Sequence, residues 1–230
     1  MNQQKSTIKD WAEDDRPREK LFKLGPRSLS NAELLAILIR TGTIKANALE
    51  IARKLLKEAK DDLNLLAHFD INKLKNIEGL GPAKAVTIVA ALELGNRRNL
   101  QTAIKLPSYT TSKQAFDFFK SIIGDSTQEE AWFVTLNHAY KLKGYYSLSK
   151  GGKTGTIIDI KLLLKQALYD EASAIILAHN HPSGNNKPSE QDKKITQKLK
   201  EAASLLEISL LDHIIVTQTD YFSFADEGIL

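Results

Sequence analysis

The sequence predicts a two-domain α+β protein, in which an all-helical N-terminal part precedes an α/β part whose mixed sheet lies between helices. Apolar residues recur at helical spacing in the first part, and strand-like segments alternate with helix-like segments in the second. Between them, the run Pro-Ser-Tyr-Thr-Thr within residues 102–111 interrupts the helical periodicity. We therefore predict two domains, at residues 1–106 and 107–230.

The individual elements follow from the same patterns. In the first part, helix-like segments begin at cap or turn residues and lie at residues 30–39, 47–58, 71–76 and 82–98. In the second part, helices are predicted at residues 112–123, 161–169 and 189–206. Short β-branched and aromatic runs predict strands near residues 132–136, 145–149, 174–179, 208–211, 214–217 and 221–224.

Composition narrows the class of protein. The 230 residues include no cysteine, which excludes disulfides, thiolate zinc ligands and the zinc nucleobase deaminases. No apolar run approaches the roughly 20 residues that span a bilayer, and the first residues are polar rather than signal-like. We expect a cytoplasmic protein without a membrane partner. Residues 1–106 carry a balance of +6, whereas residues 107–230 carry −2.

A cluster of polar residues follows the apolar run at residues 174–178. In an extended segment His179 and His181 point the same way, so both imidazoles can reach one ion. The Pro, Ser, Gly and Asn residues that follow can reverse the chain and bring Asp192 back over the histidines. Two histidines and one carboxylate leave the fourth position of a tetrahedral Zn²⁺ open, as catalytic zinc sites do. The spacing therefore predicts a hydrolytic zinc centre.

The same residues also fit an ordinary helix start. Ser189 can cap the following helix, with Asp192 near the positive end of the helix dipole. A cap alone does not explain a His-x-His pair after a buried strand, where unliganded polar groups are costly. Both interpretations can hold together. His213 is expected to be a hydrogen-bonded structural histidine, and a role behind a metal ligand is the alternative.

The pattern H-x-H, seven residues, S-x-x-D resembles the JAMM metal-binding motif of the JAB/MPN domain. Its longer form, His-Asn-His-Pro-Ser-Gly, resembles the RadC family of bacterial proteins. This resemblance implies an MPN-type α/β fold with the metal at the end of a central strand. Similar segments extend through nearly the whole chain, at residues 15–20, 29–42, 211–216 and 223–228.

The resemblance also implies a role for each site residue. The two histidines and the aspartate would bind zinc, Ser189 would support the tetrahedral intermediate, and a glutamate on an upstream strand would be the general base. Counting back from the polar end of the strand, as the family pattern runs, favours Glu129, and Glu130 is the alternative. Only one of them can face the metal, because neighbours in a strand point to opposite sides.

Residues 77–85, with the sequence Ile-Glu-Gly-Leu-Gly-Pro-Ala-Lys-Ala, resemble a helix-hairpin-helix motif. Gly79 and Gly81 allow a tight turn and a close approach to phosphate, and Lys84 adds charge at a helix N-terminus. With the basic balance of the first part, this predicts a sequence-independent, salt-sensitive contact with DNA. The alternative is a tight helical turn that binds no nucleic acid.

Together these observations predict a zinc-dependent hydrolase. The family resemblance implies a metallopeptidase that cleaves peptide or isopeptide bonds through a metal-activated water, with DNA as a partner of the N-terminal domain. The alternatives are a non-catalytic, DNA-binding accessory protein of repair or recombination, and a metal-dependent nuclease. The sequence predicts neither the substrate nor the oligomeric state.

Overall fold

The computed structural model describes residue 8 and residues 11–106, 108–150 and 158–230, with the backbone alone at residue 150. The chain divides into two compact units, Met1–Gly95 and Asn96–Leu230. This division falls inside a long helix, whereas the boundary expected from the sequence lies between residues 106 and 107. The boundary between functional domains stays a prediction.

In the first unit, helices are the regular secondary structure of the described residues. The segments predicted from periodicity are all helical, and two further helices, the first and the fourth, were not predicted. The last helix runs past residue 98, where we expected it to end, and continues into the second unit. The helices are α1 (Pro17–Leu24), α2 (Asn31–Ile39), α3 (Ala48–Glu58), α4 (Leu63–Ala67), α5 (Ile71–Lys75) and α6 (Pro82–Ile104).

Capping boxes determine where α2 and α3 begin. The Ser30 side chain accepts from the amide of Glu33, whose carboxylate accepts from the amide of Ser30, and Asn47 and Glu50 make the same reciprocal pair. These bonds satisfy amides that have no partner within the helix. The apolar face of α3 can then pack into the core of the unit, whose buried side chains include Ile51, Leu55, Leu66, Leu74, Leu80 and Ile88.

The second unit contains a mixed sheet between helices, which confirms the α/β character predicted for this part. The five strands lie in the order β2-β1-β3-β4-β5. Among the strands of the described residues, β3 and β4 pair in parallel, and the other neighbours are antiparallel. The elements are α7 (Ser112–Ile123), β1 (Glu130–Leu136), β2 (Leu142–Lys150), α8 (Ile160–Tyr169), β3 (Ala174–Asn180), α9 (Glu190–Ser204), β4 (Ser209–Val216) and β5 (Tyr221–Ser223).

One prediction about the sheet was wrong. The segments at residues 208–211 and 214–217, expected as separate strands, belong to the single strand β4. The gap between the two predicted strands falls at Asp212 and His213, whose side chains are both buried within β4. The Asp212 carboxylate accepts bonds from the Ser223 hydroxyl and the Ala225 amide, so long-range contacts satisfy a group that looks out of place in a strand.

The two faces of the sheet have different partners. The first, which we call the α7 face, includes Val134, Ile176 and Ala178 and packs with apolar residues of α7. The second, the α9 face, includes Phe133, Ile175 and Leu177 and packs with residues of α8 and α9. Side chains alternate along a strand, so the residue two positions after Leu177 also lies on the α9 face.

The structure contains no helix, among the residues it describes, with the length and apolar character needed to cross a membrane.

Candidate metal centre

The predicted metal ligands meet where β3 ends and α9 begins. His179 is the penultimate residue of β3, and His181 follows the strand directly. The intervening turn leads to Ser189, the N-cap of α9, and Asp192 lies in the first turn of that helix. The sheet and the helix N-terminus therefore bring together residues that are up to thirteen positions apart in the sequence.

The distances between the ligand atoms suit one small cation. Nε2 of His179 lies 3.0 Å from Nε2 of His181 and 3.3 Å from Oδ1 of Asp192. Nε2 of His181 lies 3.9 Å from Oδ2 of Asp192. Zinc bonds of 2.0–2.1 Å in a tetrahedral arrangement separate ligand atoms by about 3.3 Å. Within the described part of the chain, these three residues form the one group of three His, Asp or Glu side chains with metal-ligand spacing.

Burial favours the neutral form of His179, which is the form that binds a metal. Burial lowers the pKa of His179 to about 4, the Asp192 carboxylate opposes this shift, and the neighbouring His181 adds to it. The pKa of His213 is also lowered well below its usual value, first by burial and then by the two other histidines. At neutral pH, His179 therefore carries no charge and one of its ring nitrogens has a free lone pair.

A backbone contact sets the tautomer of His181. Its Nδ1 lies 2.7 Å from the carbonyl oxygen of Asn185. A carbonyl oxygen can only accept, so Nδ1 carries the proton and donates it. The lone pair of the neutral ring is therefore on Nε2, the atom that faces His179 and Asp192, as a metal-binding histidine requires.

Ser189 and Asp192 form a capping box, so the helix-start interpretation also holds. The Ser189 hydroxyl oxygen accepts from the amide of Asp192, at 3.1 Å, and Oδ2 of Asp192 accepts from the amide of Ser189, at 2.7 Å. The hydroxyl of Ser189 also donates to the same Oδ2. One carboxylate thus begins the helix and offers its other oxygen to the ligand cluster.

The pairing of β1 with β3 separates the two candidate glutamates. Ala131 lies directly opposite His179, so their side chains share the α9 face. Glu129, two positions before Ala131, lines the same cavity as the histidines. Glu130 accepts bonds on its two carboxylate oxygens from Ser126 and Trp132. The structure therefore brings Glu129, and not Glu130, to the cavity of the ligand cluster.

The cavity beside the cluster has a volume of about 660 Å³. It is lined by the three ligand residues, Glu129 and Ser189 together with residues of the loop before α9 and of α9 itself. Three lysines on this wall, Lys187, Lys194 and Lys198, give it positive charge. The volume is in the range of small-molecule sites.

The residues proposed to contact DNA lie in the first unit and are largely used within it. Gly79 has a φ of +93°, and a Cβ there would come within 2.6 Å of the Ile51 side chain. Lys84 donates from Nζ to the carbonyl oxygens of Thr41, at 2.6 Å, and Gly79, at 2.9 Å. A Cβ on Gly81 would meet no atom within 4 Å, so its backbone is open on that side.

Two further residues adjoin the metal cluster. Nε2 of His213 lies 2.8 Å from Nδ1 of His179, and the His213 ring also contacts Thr196. His213 was expected to be a structural histidine, with a role behind a metal ligand as the alternative, and Thr196 was not predicted to take part. The helical spacing of four residues between Asp192 and Thr196 was the available signal, because such residues lie on the same side of a helix.

Comparison with known proteins identifies the family. Residues 109–229 match the family model described as a RadC-like JAB domain. Residues 8–86 match the model described as UPF0758 N-terminal. The JAB match lies within the second compact unit, and the N-terminal match lies within the first.

Relatives match along nearly their whole length. A UPF0758 protein of Flavobacterium johnsoniae is 48% identical over 96% of this chain and 96% of its own. A UPF0758 protein of Porphyromonas gingivalis is 46% identical over 97% of this chain and 100% of its own, and one of Trichlorobacter lovleyi is 40% identical over 98% and 99%. Their names state no activity. The coverage and identity show that this chain belongs to the RadC (UPF0758) family, with a RadC-like JAB domain in its C-terminal part.

Proposed function

We propose that this protein is a zinc-dependent hydrolase of the JAMM type, a metallopeptidase that cleaves peptide or isopeptide bonds. The observation that carries the proposal is the convergence of Nε2 of His179, Nε2 of His181 and the Asp192 carboxylate, on a cavity that Glu129 also lines. Three such ligands leave a tetrahedral zinc one open position, the arrangement of catalytic sites. The JAB domain family, which includes hydrolases, agrees with this chemistry.

The side chains around the cavity have distinct tasks in amide hydrolysis. When bound, zinc would supply Lewis acidity and a water whose pKa is brought to about 7. Glu129 takes a proton from the attacking water on a carboxylate oxygen and passes it to the leaving nitrogen. The Ser189 hydroxyl turns from Asp192 to donate to the developing oxyanion, a contribution of about 2.7 to 4 kcal/mol for one good donor.

The test is a comparison of two neighbouring glutamates. Wild type, Glu129→Gln and Glu130→Gln would be loaded with zinc and incubated with a mixed library of linear and isopeptide-linked peptides, with cleavage followed by mass spectrometry. We expect Glu129→Gln to keep its zinc and lose activity by about 10²- to 10⁴-fold, the usual contribution of a general base. Glu130→Gln should remain active. Full activity of Glu129→Gln would contradict the mechanism.

A second candidate function is DNA binding by the N-terminal part. Residues 1–106 carry a balance of +6, and the backbone of Gly81 is open at the start of α6. We propose a helix-hairpin-helix contact to the phosphate backbone around Gly79, Gly81 and Lys84. Fluorescence anisotropy with duplex DNA should then show affinity that falls steeply between low and moderate salt. Salt-independent or absent binding would contradict it.

DNA binding, peptide cleavage, DNA cleavage and zinc content, measured together, distinguish the accessory and nuclease alternatives. If wild type binds DNA, cleaves no peptide and keeps its zinc, the accessory role is favoured. If wild type cleaves DNA and His181→Ala does not, the metal centre is that of a nuclease. Among the described residues there is one three-ligand cluster, which makes the second outcome the less expected one, because many nucleases use two metals.

A further inference from the structure

A chain of three hydrogen bonds runs behind the metal centre. His213, fully buried in β4, stacks on Phe224 with ring centroids 4.8 Å apart. Its Nε2 lies 2.8 Å from Nδ1 of His179, and its Nδ1 lies 2.6 Å from Oγ1 of Thr196. Oγ1 of Thr196 in turn lies 2.6 Å from the carbonyl oxygen of Asp192. The chain therefore begins at one metal ligand and ends at another.

The hydrogens along this chain can be placed from its far end. The carbonyl of Asp192 only accepts, so the Thr196 hydroxyl must donate its one hydrogen there. With that hydrogen engaged, Oγ1 of Thr196 can only accept from Nδ1 of His213. A second proton on His213 would make a buried cation whose ring nitrogens face an imidazole and a hydroxyl, not a carboxylate, which is costly. Nε2 of His213 therefore accepts, and Nδ1 of His179 donates to it.

We propose that His213 and Thr196 are positioning residues that hold His179 in the tautomer protonated on Nδ1. This leaves the lone pair of His179 on Nε2, the atom that faces His181 and Asp192. The inference rests on the metal site of the proposed function. It assigns a task to a threonine and a histidine that do not themselves reach the cluster of ligand atoms.

The path through α9 gives the arrangement a second consequence. The side chain of Asp192 joins the ligand cluster, and its carbonyl receives the last bond of the chain, one helical turn before Thr196. A closed circuit thus runs from the Asp192 side chain through the ligand cluster, His179, His213 and Thr196 to the Asp192 carbonyl. It ties α9 to β3 and β4. Movement of any of these three elements would disturb the His179 tautomer and the distances between the ligand atoms together.

The test uses pairs of variants that differ in one hydrogen-bonding group. In the full-length protein, Thr196→Val removes the hydroxyl at nearly constant shape, whereas Thr196→Ser keeps it. His213→Gln retains one acceptor and one donor, whereas His213→Leu has neither. Zinc affinity would be measured by competition with a chromogenic chelator, with the absorption spectrum of the cobalt-loaded protein as a second readout and urea unfolding of the metal-free protein as the folding control.

We expect Thr196→Val and His213→Leu to weaken zinc binding by about 10- to 100-fold, the usual effect of losing a partner of a metal-binding histidine. Thr196→Ser and His213→Gln should stay close to wild type, and the cobalt spectrum should change only in the first two. If His213→Leu does not fold, the threonine pair decides the question.

Two results would overturn the inference while leaving the proposed function intact. The first is one tightly bound zinc in wild type with unchanged affinity in Thr196→Val. The second is equal weakening in Thr196→Val and Thr196→Ser, which would indicate packing rather than the hydroxyl. Wild type that binds no zinc would remove the proposed function and this inference together.

Discussion

The turn between α5 and α6 and the turn between β3 and α9 both display polar groups at the start of a helix, but these groups have different partners. In the first turn, Lys84 donates to two backbone carbonyls and Gly79 leaves room for the Ile51 side chain. In the second, Nε2 of His179 lies close to Nε2 of His181 and to Oδ1 of Asp192, beside a cavity.

This difference shows how a structural use of a motif can be told from a chemical one. In the first turn, the special residue types are largely accounted for by packing and by hydrogen bonds within the unit. In the second, capping explains Ser189 and one oxygen of Asp192, and the convergence of the remaining atoms has no such explanation. A motif is therefore best judged by those polar atoms that packing, capping and local hydrogen bonds do not explain.

The largest expected effect is at the metal centre. His181→Ala removes one of the three proposed ligands. We expect its zinc affinity to fall by more than about 100-fold, which is the upper end of the loss caused by removing a residue that only supports a ligand. Ser189→Ala is the matched control, because it removes the cap and no ligand. It should keep its zinc and lose about 1 kcal/mol of stability. Elemental mass spectrometry after dialysis would measure the zinc content of each.

The next effect separates the two glycines of the first turn. Gly79→Ala should lower the free energy of unfolding by about 2 to 3 kcal/mol, since it combines a strained positive φ with a clash against buried Ile51. Gly81→Ala meets no neighbouring atom and should change stability by less than about 1 kcal/mol. Urea unfolding followed by far-ultraviolet circular dichroism would report both. Equal losses of stability in the two variants would contradict this difference between Gly79 and Gly81.

Lys84 gives a smaller effect that tests the same turn from another side. Lys84→Met keeps most of the side-chain length and removes the bonds to Thr41 and Gly79, so we expect a loss of about 1 kcal/mol in a half-buried position. If the Lys84 ammonium instead contacts DNA, the variant would keep its stability. The slope of log affinity against log salt concentration would then fall in magnitude by about one. Urea unfolding and anisotropy titrations distinguish these outcomes.

An effect of similar size is expected for a polar group in the second unit that has no part in either proposed function. The buried Tyr109 hydroxyl donates to the carbonyl of Ala103 at 2.9 Å, and burial raises the pKa of Tyr109 to about 12. The folded protein then keeps this proton from about pH 10 to 12 while the unfolded chain releases it, so stability falls as pH rises through that window.

The matched variant for this window is Tyr109→Phe. We expect it to be less stable by about 1 kcal/mol at neutral pH, from the lost hydrogen bond. Between pH 10 and 12 the difference in stability between the two proteins should shrink, because only wild type has the Tyr109 proton to lose. Urea unfolding of both proteins at a series of pH values would measure the difference, and a constant deficit would argue against the raised pKa.

The grouping of the four candidate site residues could be predicted from the sequence because each half of the group is local. His179 and His181 share one strand direction, and Ser189 and Asp192 share one helix turn, so short-range periodicity is sufficient to group them. Helices and most strands were predictable for the same reason. The meeting of the two halves depended only on turn residues between them.

The remaining parts depend on pairing between distant strands. The choice of Glu129 over Glu130 at the cavity follows from Ala131 lying opposite His179. The contact of His213 with His179 follows from the parallel register that sets Leu177 beside His213. Strand registers are fixed by contacts that are remote in sequence, so they could not be predicted from the residues alone. Glu129 was favoured through the family resemblance, with Glu130 as the alternative.

Because of the register of β1, neither of the two adjacent glutamates can take the place of the other at the cavity when one is deleted. If Glu129 were deleted while the pairing from Ala131 onward persisted, Gln128 would move into its position and Glu130 would stay on the opposite face. Deleting Glu130 would shift Glu129 to that opposite face and again bring Gln128 to the cavity side. Either loss of a single codon would thus replace an acid by an amide at the cavity, although one glutamate would remain in the chain.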